Sequence, residues 1–181
     1  MTEAKAWHFT GPTLRDGRPI PEPGMWLVHD GPIQPCESGL HASERLLDAL
    51  SFAPGNTLHR VTLRGDVTLH GDPVDKLVAS ERRIDWTLDE ATTERVLREF
   101  SRWCALQVIH LWDVPEVVRE YLESGDESLR DAARAAAWAA AGDAAGAAAG
   151  AAAGAAAGAA AVAAQNAHLT TLVLAAAGRT E

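Results

Sequence analysis

The sequence predicts an α+β protein: a small mixed or antiparallel sheet with one helix, followed by a helical C-terminal half that includes a long Ala/Gly-rich helix. Period-two alternation dominates before residue 88, apolar residues recur at helical spacing after residue 89, and an alanine-rich tetrad repeats after residue 126. The 181 residues are therefore predicted to form a β-rich N-terminal module (1–88), a helical part packed on it (89–125) and an Ala/Gly-rich helix (126–181).

Short stretches bounded by glycine and proline predict strands at residues 4–10, 25–28, 31–33, 76–78 and 83–86. The last two stretches are compatible with one strand or with two. The clearest strand lies between them and the first three, and its apolar members share one parity: His59, Val61, Leu63, Val67 and Leu69. That parity predicts that all five face the core. Because the alternation continues across Gly65-Asp66, a β-bulge is favoured there over a tight turn.

Helix start and stop signals separate and follow these strands. Ser43 is a favourable N-cap, so a helix is predicted to follow it and to end at Pro54-Gly55. The signals of the C-terminal half are Asp89 or Thr92, Pro115, Gly125 and Asp126. The apolar residues of the first long helix are predicted to line an inner face: Val96, Phe100, Trp103, Val108 and Leu111.

The last helix carries an Ala-Ala-Ala-x tetrad, and glycine fills five of the x positions: Gly142, Gly146, Gly150, Gly154 and Gly158. Four residues advance about 400° around a helix, so the glycine stripe drifts by about 40° per repeat and a partner helix would have to wrap around it. Three interpretations stay open: a packing or oligomerisation surface, compositional drift on an exposed helix, and an ice-binding or similar patterned surface. The helix either continues unbroken or folds back at Gly142-Asp143.

A membrane span is not predicted, although Ala144–Ala164 carries no charge. Insertion is driven by Leu, Ile, Phe and Val, and this stretch holds only Val162 from that set. The first residues lack the basic region and apolar stretch of a signal peptide, which predicts a cytoplasmic protein. Cys36 and Cys104 lie far apart without a CxxC pair, so neither a disulfide scaffold nor a redox motif is indicated.

The chain is acidic, with a formal net charge of −9 from 16 basic and 25 acidic residues. Its acids are interleaved with arginines, which is typical of a solvated surface. No basic stripe is present, so direct binding to a nucleic-acid phosphate backbone is not expected. A DNA mimic or a protein that binds basic partners remains an alternative interpretation of the charge.

The N-terminal half contains a set of three short motifs in close succession: Pro23-Gly24-Met25-Trp26, Gly31-Pro32-Ile33 and Cys36-Glu37-Ser38-Gly39-Leu40-His41. The set resembles an uncharacterised phage and prophage family with the pattern V-G-K-x-Y, G-x-I-x-x-C-x-x-G-[FL]-H. The resemblance covers about residues 4–87, and Met25-Trp26 stands where that family usually has Lys-Thr-Tyr. It implies a phage or prophage accessory protein and brings no established activity.

The densest cluster of special residues supplies the candidate binding residues Cys36, Gly39, His41 and Ser43. In a structural interpretation, Gly39 provides an unusual backbone angle, Cys36 packs as a small hydrophobic residue and His41 hydrogen-bonds a turn. In a second interpretation, Cys36 and His41 join His29 or His59 around a metal ion. The paired spacing of a zinc motif is missing, so no metal is predicted.

Enzymatic interpretations need further residues. The order of strand histidine, Gly-Leu-His turn, helix, strand and glutamate resembles that of ADP-ribosyltransferases. This resemblance implies that His8 holds a ribose, that the turn at His41 lines a nicotinamide pocket and that Glu81 activates the acceptor, with NAD as the cofactor. Nucleophilic catalysis by Cys36 and His41 would also need an orienting group, and none is visible. Outside the NAD hypothesis no cofactor is predicted.

The preferred hypothesis is therefore a non-enzymatic phage or prophage accessory protein that acts by protein–protein contact. It would bind a protein partner, or associate with itself through the Ala/Gly helix. One alternative is an ADP-ribosyltransferase-like enzyme or nucleotide-binding module that uses the region of His8, His41 and Glu81. Another is an acidic DNA mimic.

Overall fold

The computed structural model describes residues 3–140 and 158–180. These residues form two compact units, of which the first comprises the chain up to Arg95 together with the segment from Val173 onward, and the second spans Val96–Leu172. The first unit is built on an antiparallel five-stranded sheet and the second is helical, so the predicted α+β class is confirmed. Most of the Ala/Gly run lies outside the described residues, including Gly142, Gly146, Gly150 and Gly154 and the fold-back point at Gly142-Asp143.

The sheet unit contains β1 (Ala4–Thr10), β2 (Trp26–Val28), β3 (Leu40–Ala42), α1 (Leu46–Ser51), β4 (Thr57–Gly71) and β5 (Val74–Leu88). The strands β1, β4, β5 and β2 are neighbours in that order, β3 also pairs with β5, and every pairing is antiparallel. The predicted first strand has the bounds that the structure shows. The two short stretches predicted near residues 76–86 belong to one long strand, β5.

The long hairpin of β4 and β5 forms the centre of the sheet. Its register shifts between Arg64 and Val67, where Gly65 has a φ of +80°, so the predicted β-bulge is confirmed. β1 pairs with β4 only as far as Leu63, opposite Ala4. Beyond that point β4 continues next to β5 alone among the described residues.

Apolar side chains of four strands form the core of this unit: Ala6, Ala42, Val61, Leu63, Leu77, Ala79 and Ile84. Trp7 meets Trp86 edge-on with their ring centroids 5.8 Å apart. A polar network also crosses the sheet, because Lys5 Nζ donates to Asp85 Oδ2 and to Thr62 Oγ1, each at 2.7 Å. The sheet is therefore stabilised by both apolar packing and ionic cross-strand contacts.

The helices after the sheet are α2 (Glu90–Val108), α3 (Glu116–Ser124), α4 (130–140) and α5 (Ala159–Ala176), with 3₁₀ turns at Ile109–Leu111 and Glu127–Leu129. Asp89 caps α2 by accepting the backbone N–H of Thr92 at 2.9 Å, which settles the choice between these two residues. Gly125 ends α3 in the left-handed conformation, at a φ of +68°. Asp126 accepts the N–H of Ser128 and starts the turn that leads into α4.

Two groups of side chains hold the helical unit together. Val114, Val118 and Ala133 are buried between the segments around α3 and α4. The imidazole of His168 on α5 stacks on Trp103 of α2 with the centroids 4.1 Å apart. Of the inner face predicted for α2, Val96 and Phe100 are buried, while its later members Trp103, Val108 and Leu111 are only partly buried.

Three local predictions are wrong. Residues 31–33 form no strand, and β3 follows them instead. Ser43 does not cap α1, because its backbone pairs with Trp7 and the N-cap residue is Arg45. Val67 and Leu69 are not in the core, since their exposures are 39% and 59%.

Among the described residues, α5 is the one helix long and apolar enough to cross a bilayer by length and composition. A single helix of this kind is weak evidence for a span, since helices of soluble proteins pass the same test. α5 buries Leu169 and Val173 almost completely within the protein. Gly158 precedes α5 at an exposed bend, where an added Cβ would meet no atom within 4 Å, so this glycine makes no close packing contact within the described residues.

Candidate functional site

The loop between Cys36 and His41 is fixed by hydrogen bonds and by two positive φ angles. The backbone N–H of Cys36 donates to His41 Nε2 at 3.0 Å. The φ angles are +68° at Cys36 and +103° at Gly39, where an added Cβ would lie 2.6 Å from Val78 Cγ1. The structural interpretation of Gly39 and His41 agrees with this geometry. Cys36 is exposed, so its predicted packing as a small hydrophobic residue is wrong.

The thiol of Cys36 lies beside two residues of the β4–β5 hairpin. Lys76 Nζ is 3.5 Å from Cys36 Sγ, and His70 Nε2 is 3.9 Å from it. His70 and Lys76 are cross-strand partners, so the hairpin presents both side chains to the loop. No group of three or more His, Cys, Asp or Glu residues in the described part of the chain could hold a metal ion.

A cavity of about 80 Å³ in the sheet unit is lined in part by His41. Its walls come from β1, β3, α1 and the start of β5: Trp7, His8, Phe9, His41, Ala42, Ser43, Ala49, Phe52 and Lys76. Most of the lining is apolar or aromatic, with a few polar groups. That combination is typical of ligand sites, although the volume is well below that of a pocket for a drug-sized molecule.

His8 is a cavity residue with capacity for a new hydrogen bond. Neither of its ring nitrogens has a hydrogen-bond partner in the described part of the chain, and neither is fully shielded from solvent. Burial lowers the pKa of His8 well below its ordinary value, with smaller contributions from the nearby Arg82, His59 and His41. At neutral pH His8 is therefore a neutral imidazole with both a donor and an acceptor available.

His41 and His59 have different roles from His8. Burial lowers the pKa of His41, and its hydrogen bond with the Gly39 backbone offsets this only in part. His59 is 1% exposed and lies between Thr10 Oγ1 and Thr87 Oγ1, each 2.9 Å from a ring nitrogen. Burial lowers its pKa to about 4. Both nitrogens of His59 are engaged, so it does not join Cys36 and His41 in the version of the metal hypothesis that includes it.

Arg82 is a buried cation next to the cavity. It is 6% exposed, and its Nη1 donates to the His41 carbonyl oxygen at 2.6 Å. Burial lowers its pKa to about 10, so the guanidinium stays charged at neutral pH. No carboxylate pairs with it in the described part of the chain. The neighbouring Arg83, in contrast, pairs with Asp85 at 3.1 Å.

Glu81 does not reach this cavity. Its Oε2 accepts from Arg64 Nε at 2.7 Å, and Arg64 in turn lies over the Trp26 ring at 3.7 Å. Of the candidate residues, the structure brings His8, His41 and Ser43 to the cavity. Cys36, Gly39, His59 and Glu81 do not line it.

Sequence reasoning missed Arg82, Lys76 and the aromatic walls of the cavity. Arg82 shares the parity of the buried Ile84 on β5, and this was the available signal that one arginine of the Arg82-Arg83 pair faces inward. Lys76 could not be assigned from the sequence, because its position beside β1 and α1 depends on the tertiary fold.

A second exposed feature is the outer part of the same hairpin. Every residue from 65 to 74 is exposed, and β4 has no strand on its outer side there among the described residues. Three apolar side chains are exposed on it: Val67, Leu69 and Val74, at 39%, 59% and 42%. A free strand edge with exposed apolar side chains is a surface on which another strand can pair.

Residues 4–99 match the protein family described as Domain of unknown function (DUF7666). The match covers more than half of the chain. The chain belongs to this family. The DUF7666 domain takes in the whole sheet, α1 and the first half of α2, so the cavity, Arg82 and the exposed hairpin all lie inside it. No curated protein and no solved structure matches the chain.

Proposed function

We propose that this protein is a non-enzymatic accessory protein of phage or prophage type that acts in the cytoplasm by protein–protein contact. The pattern of Gly31, Ile33, Cys36, Gly39 and His41 supports the phage assignment through the resemblance it carries. The single observation that carries the contact function is the free outer edge of β4 with its exposed apolar side chains.

The contact surface consists of β4 residues 65–71. Val67 and Leu69 pair with Ala79 and Leu77, two core residues of β5, and cross-strand partners share a face of the sheet. The core face therefore continues into this segment, but nothing in the described part of the chain covers it. A second copy of the chain can pair with the free edge of β4, which would satisfy the free backbone groups and place the side chains of a neighbouring strand beside Leu69. The Ala/Gly run adds a further packing or oligomerisation element in this proposal.

Sedimentation velocity of the full chain at concentrations up to about 100 μM tests the proposal. We expect wild-type protein to form a dimer or larger species and the Leu69→Lys variant to dissociate. Met25→Lys is the matched control, since Met25 is 61% exposed outside the β4 edge. A monomeric wild type would refute self-association, and equal association of both variants would refute the β4 edge as the contact.

Substitution of Gly150 and Gly154 with glutamine tests the Ala/Gly element in the same experiment. Glutamine is a better helix former than glycine but blocks close backbone approach. We expect weaker association if the run packs against another helix. Unchanged association would remove the run from the contact.

A second candidate function is a nucleotide-binding module, favoured by the arrangement of Trp7, His8 and His41 around the cavity. The transferase version of this hypothesis has less support, because Glu81 is held by Arg64 away from the cavity. A thermal-shift titration with NAD distinguishes the candidates. A saturable rise in Tm that is lost in His8→Gln supports nucleotide binding, and an unchanged Tm refutes it.

A further inference from the structure

The charged groups around the cavity are unbalanced. Its lining holds one cation, Lys76, and no carboxylate, while Arg82 is buried behind His41. The remaining polar groups at the cavity are His8, His41 and Ser43, which are neutral at neutral pH. The site is therefore electropositive in a protein whose formal net charge is −9.

The absence of a carboxylate beside Arg82 is the central observation. Buried cations are normally paired, because removing an unpaired charge from water is costly. Two other arginines of the β4–β5 hairpin follow that rule, since Arg64 pairs with Glu81 and Arg83 with Asp85. Arg82 is more buried than either of them, and among the residues that the structure describes its partner is a backbone carbonyl. An anion supplied from outside would provide the missing negative charge.

We propose that the cavity between β1 and β3 binds a small oxyanion that accepts a hydrogen bond from His8 and is held by the positive charges of Arg82 and Lys76. The volume of about 80 Å³ accommodates a phosphate, sulfate or carboxylate group. Trp7, Phe9 and Phe52 supply apolar surface beside the anion, which strengthens the electrostatic attraction relative to bulk water. The inference uses the cavity of the second candidate function but requires neither NAD nor catalysis.

Binding of the anion is coupled to a proton. The charged and titratable groups that face His8 are Arg82, His59 and His41, which all disfavour its protonated form. A bound oxyanion reverses this balance and favours imidazolium, so the protein takes up a proton on binding. We therefore expect tighter binding near pH 5.5 than near pH 8.

Isothermal titration with sulfate tests the proposal on the full chain, because the charge of sulfate is constant between about pH 5.5 and pH 8. We expect saturable binding with a millimolar or lower Kd, weakened about tenfold or more in Arg82→Met. Arg83→Met is the matched control and should bind within about twofold of wild type, since its charge is already paired with Asp85. Acetate in place of sulfate shows whether a carboxylate source serves as well.

Lys76→Met provides a second variant on the cavity wall in case Arg82→Met does not fold. It should weaken sulfate binding while leaving the fold intact, because Lys76 is only partly buried. Wild-type protein that shows no saturation at about 50 mM sulfate would overturn the proposal. Equal affinity of wild type, Arg82→Met and Lys76→Met would do the same. An NAD titration without effect would refute nucleotide binding but would leave the oxyanion proposal intact. Failure of one proposal can therefore be distinguished from failure of the other.

Discussion

Replacement of Gly39 by alanine should destabilise the sheet unit strongly, for two separable reasons. The φ angle of Gly39 is +103°, a conformation that residues with a Cβ rarely adopt. The new methyl group would also lie 2.6 Å from Val78 Cγ1 and 3.1 Å from Ile33 Cγ2. Val78 is fully buried in β5, so it cannot move aside without disturbing the core.

The cost of the backbone strain and the cost of the steric clash can be estimated separately. Holding an L-residue at positive φ costs about 1–2 kcal/mol. Forcing an extra methyl group into a packed core costs about 1–3 kcal/mol. The free energy of unfolding should therefore fall by about 2–5 kcal/mol in Gly39→Ala. Gly24 isolates the first part, because its φ is +92° and an added Cβ would meet no atom within 4 Å.

Urea unfolding of wild type, Gly39→Ala and Gly24→Ala measures the free energy of unfolding of each protein. Tryptophan fluorescence reports on the sheet unit. Gly24→Ala should lose only about 1–2 kcal/mol. The excess loss in Gly39→Ala, about 1–3 kcal/mol, is the contribution of the contacts with Val78 and Ile33. Equal losses in the two variants would refute the tight packing of the loop against β5.

Acidification from about pH 7 to about pH 4 should lower the free energy of unfolding by about 3 kcal/mol through His59, whose pKa is about 4 when folded against 6.5 when unfolded. The unfolded chain binds the proton first, and His59→Gln should lack this part of the slope in urea titrations at each pH. Burial raises the pKa of Asp85, but hydrogen bonds from Lys5, among others, outweigh it, so Lys5→Met should raise that pKa in a carboxyl ¹³C NMR titration. Leu77→Ala should cost about 2–5 kcal/mol and its exposed partner Leu69→Ala about 0.5 kcal/mol in the urea assay.

The long elements were predictable because their periodicity is local. β1 was predicted with the bounds that the structure shows, and the parity on both sides of Gly65 correctly predicted a bulge in β4. β3 was missed because its three residues form a strand only through pairing with β5. Ser43 was misassigned for a similar reason, since its backbone is used by Trp7 and not by α1.

The exposure of Val67 and Leu69 shows a different limit of sequence reasoning. Alternation placed them on the face that carries the core, and pairing with Ala79 and Leu77 agrees with that face. Burial, however, depends on a second layer, and no layer covers this part of the hairpin in the described part of the chain. The period of a strand predicts its faces and says nothing about what covers them.

Half of the candidate site was predictable from residue type. His8 and His41 stood out because histidine near glycine in a strand-and-turn sequence is chemically informative. Arg82 did not stand out, because the run Glu81-Arg82-Arg83 looks like an exposed ion-pair network. Only the three-dimensional pairing of Arg64 with Glu81 and of Arg83 with Asp85 leaves Arg82 without a carboxylate.

We infer from the cost of that unpaired charge that Arg82 serves the proposed oxyanion site and not the fold. Leu63 lies opposite Arg82 in the sheet and is fully buried, so an apolar residue would pack at this position without the cost of burying a charge. One hydrogen bond to the His41 carbonyl offsets only part of the free-energy cost of burying the charge. Natural sequences lose stability in this way mainly at functional sites. If Arg82→Met raises the Tm of the free protein but abolishes sulfate binding, the arginine is retained for the ligand and not for the fold.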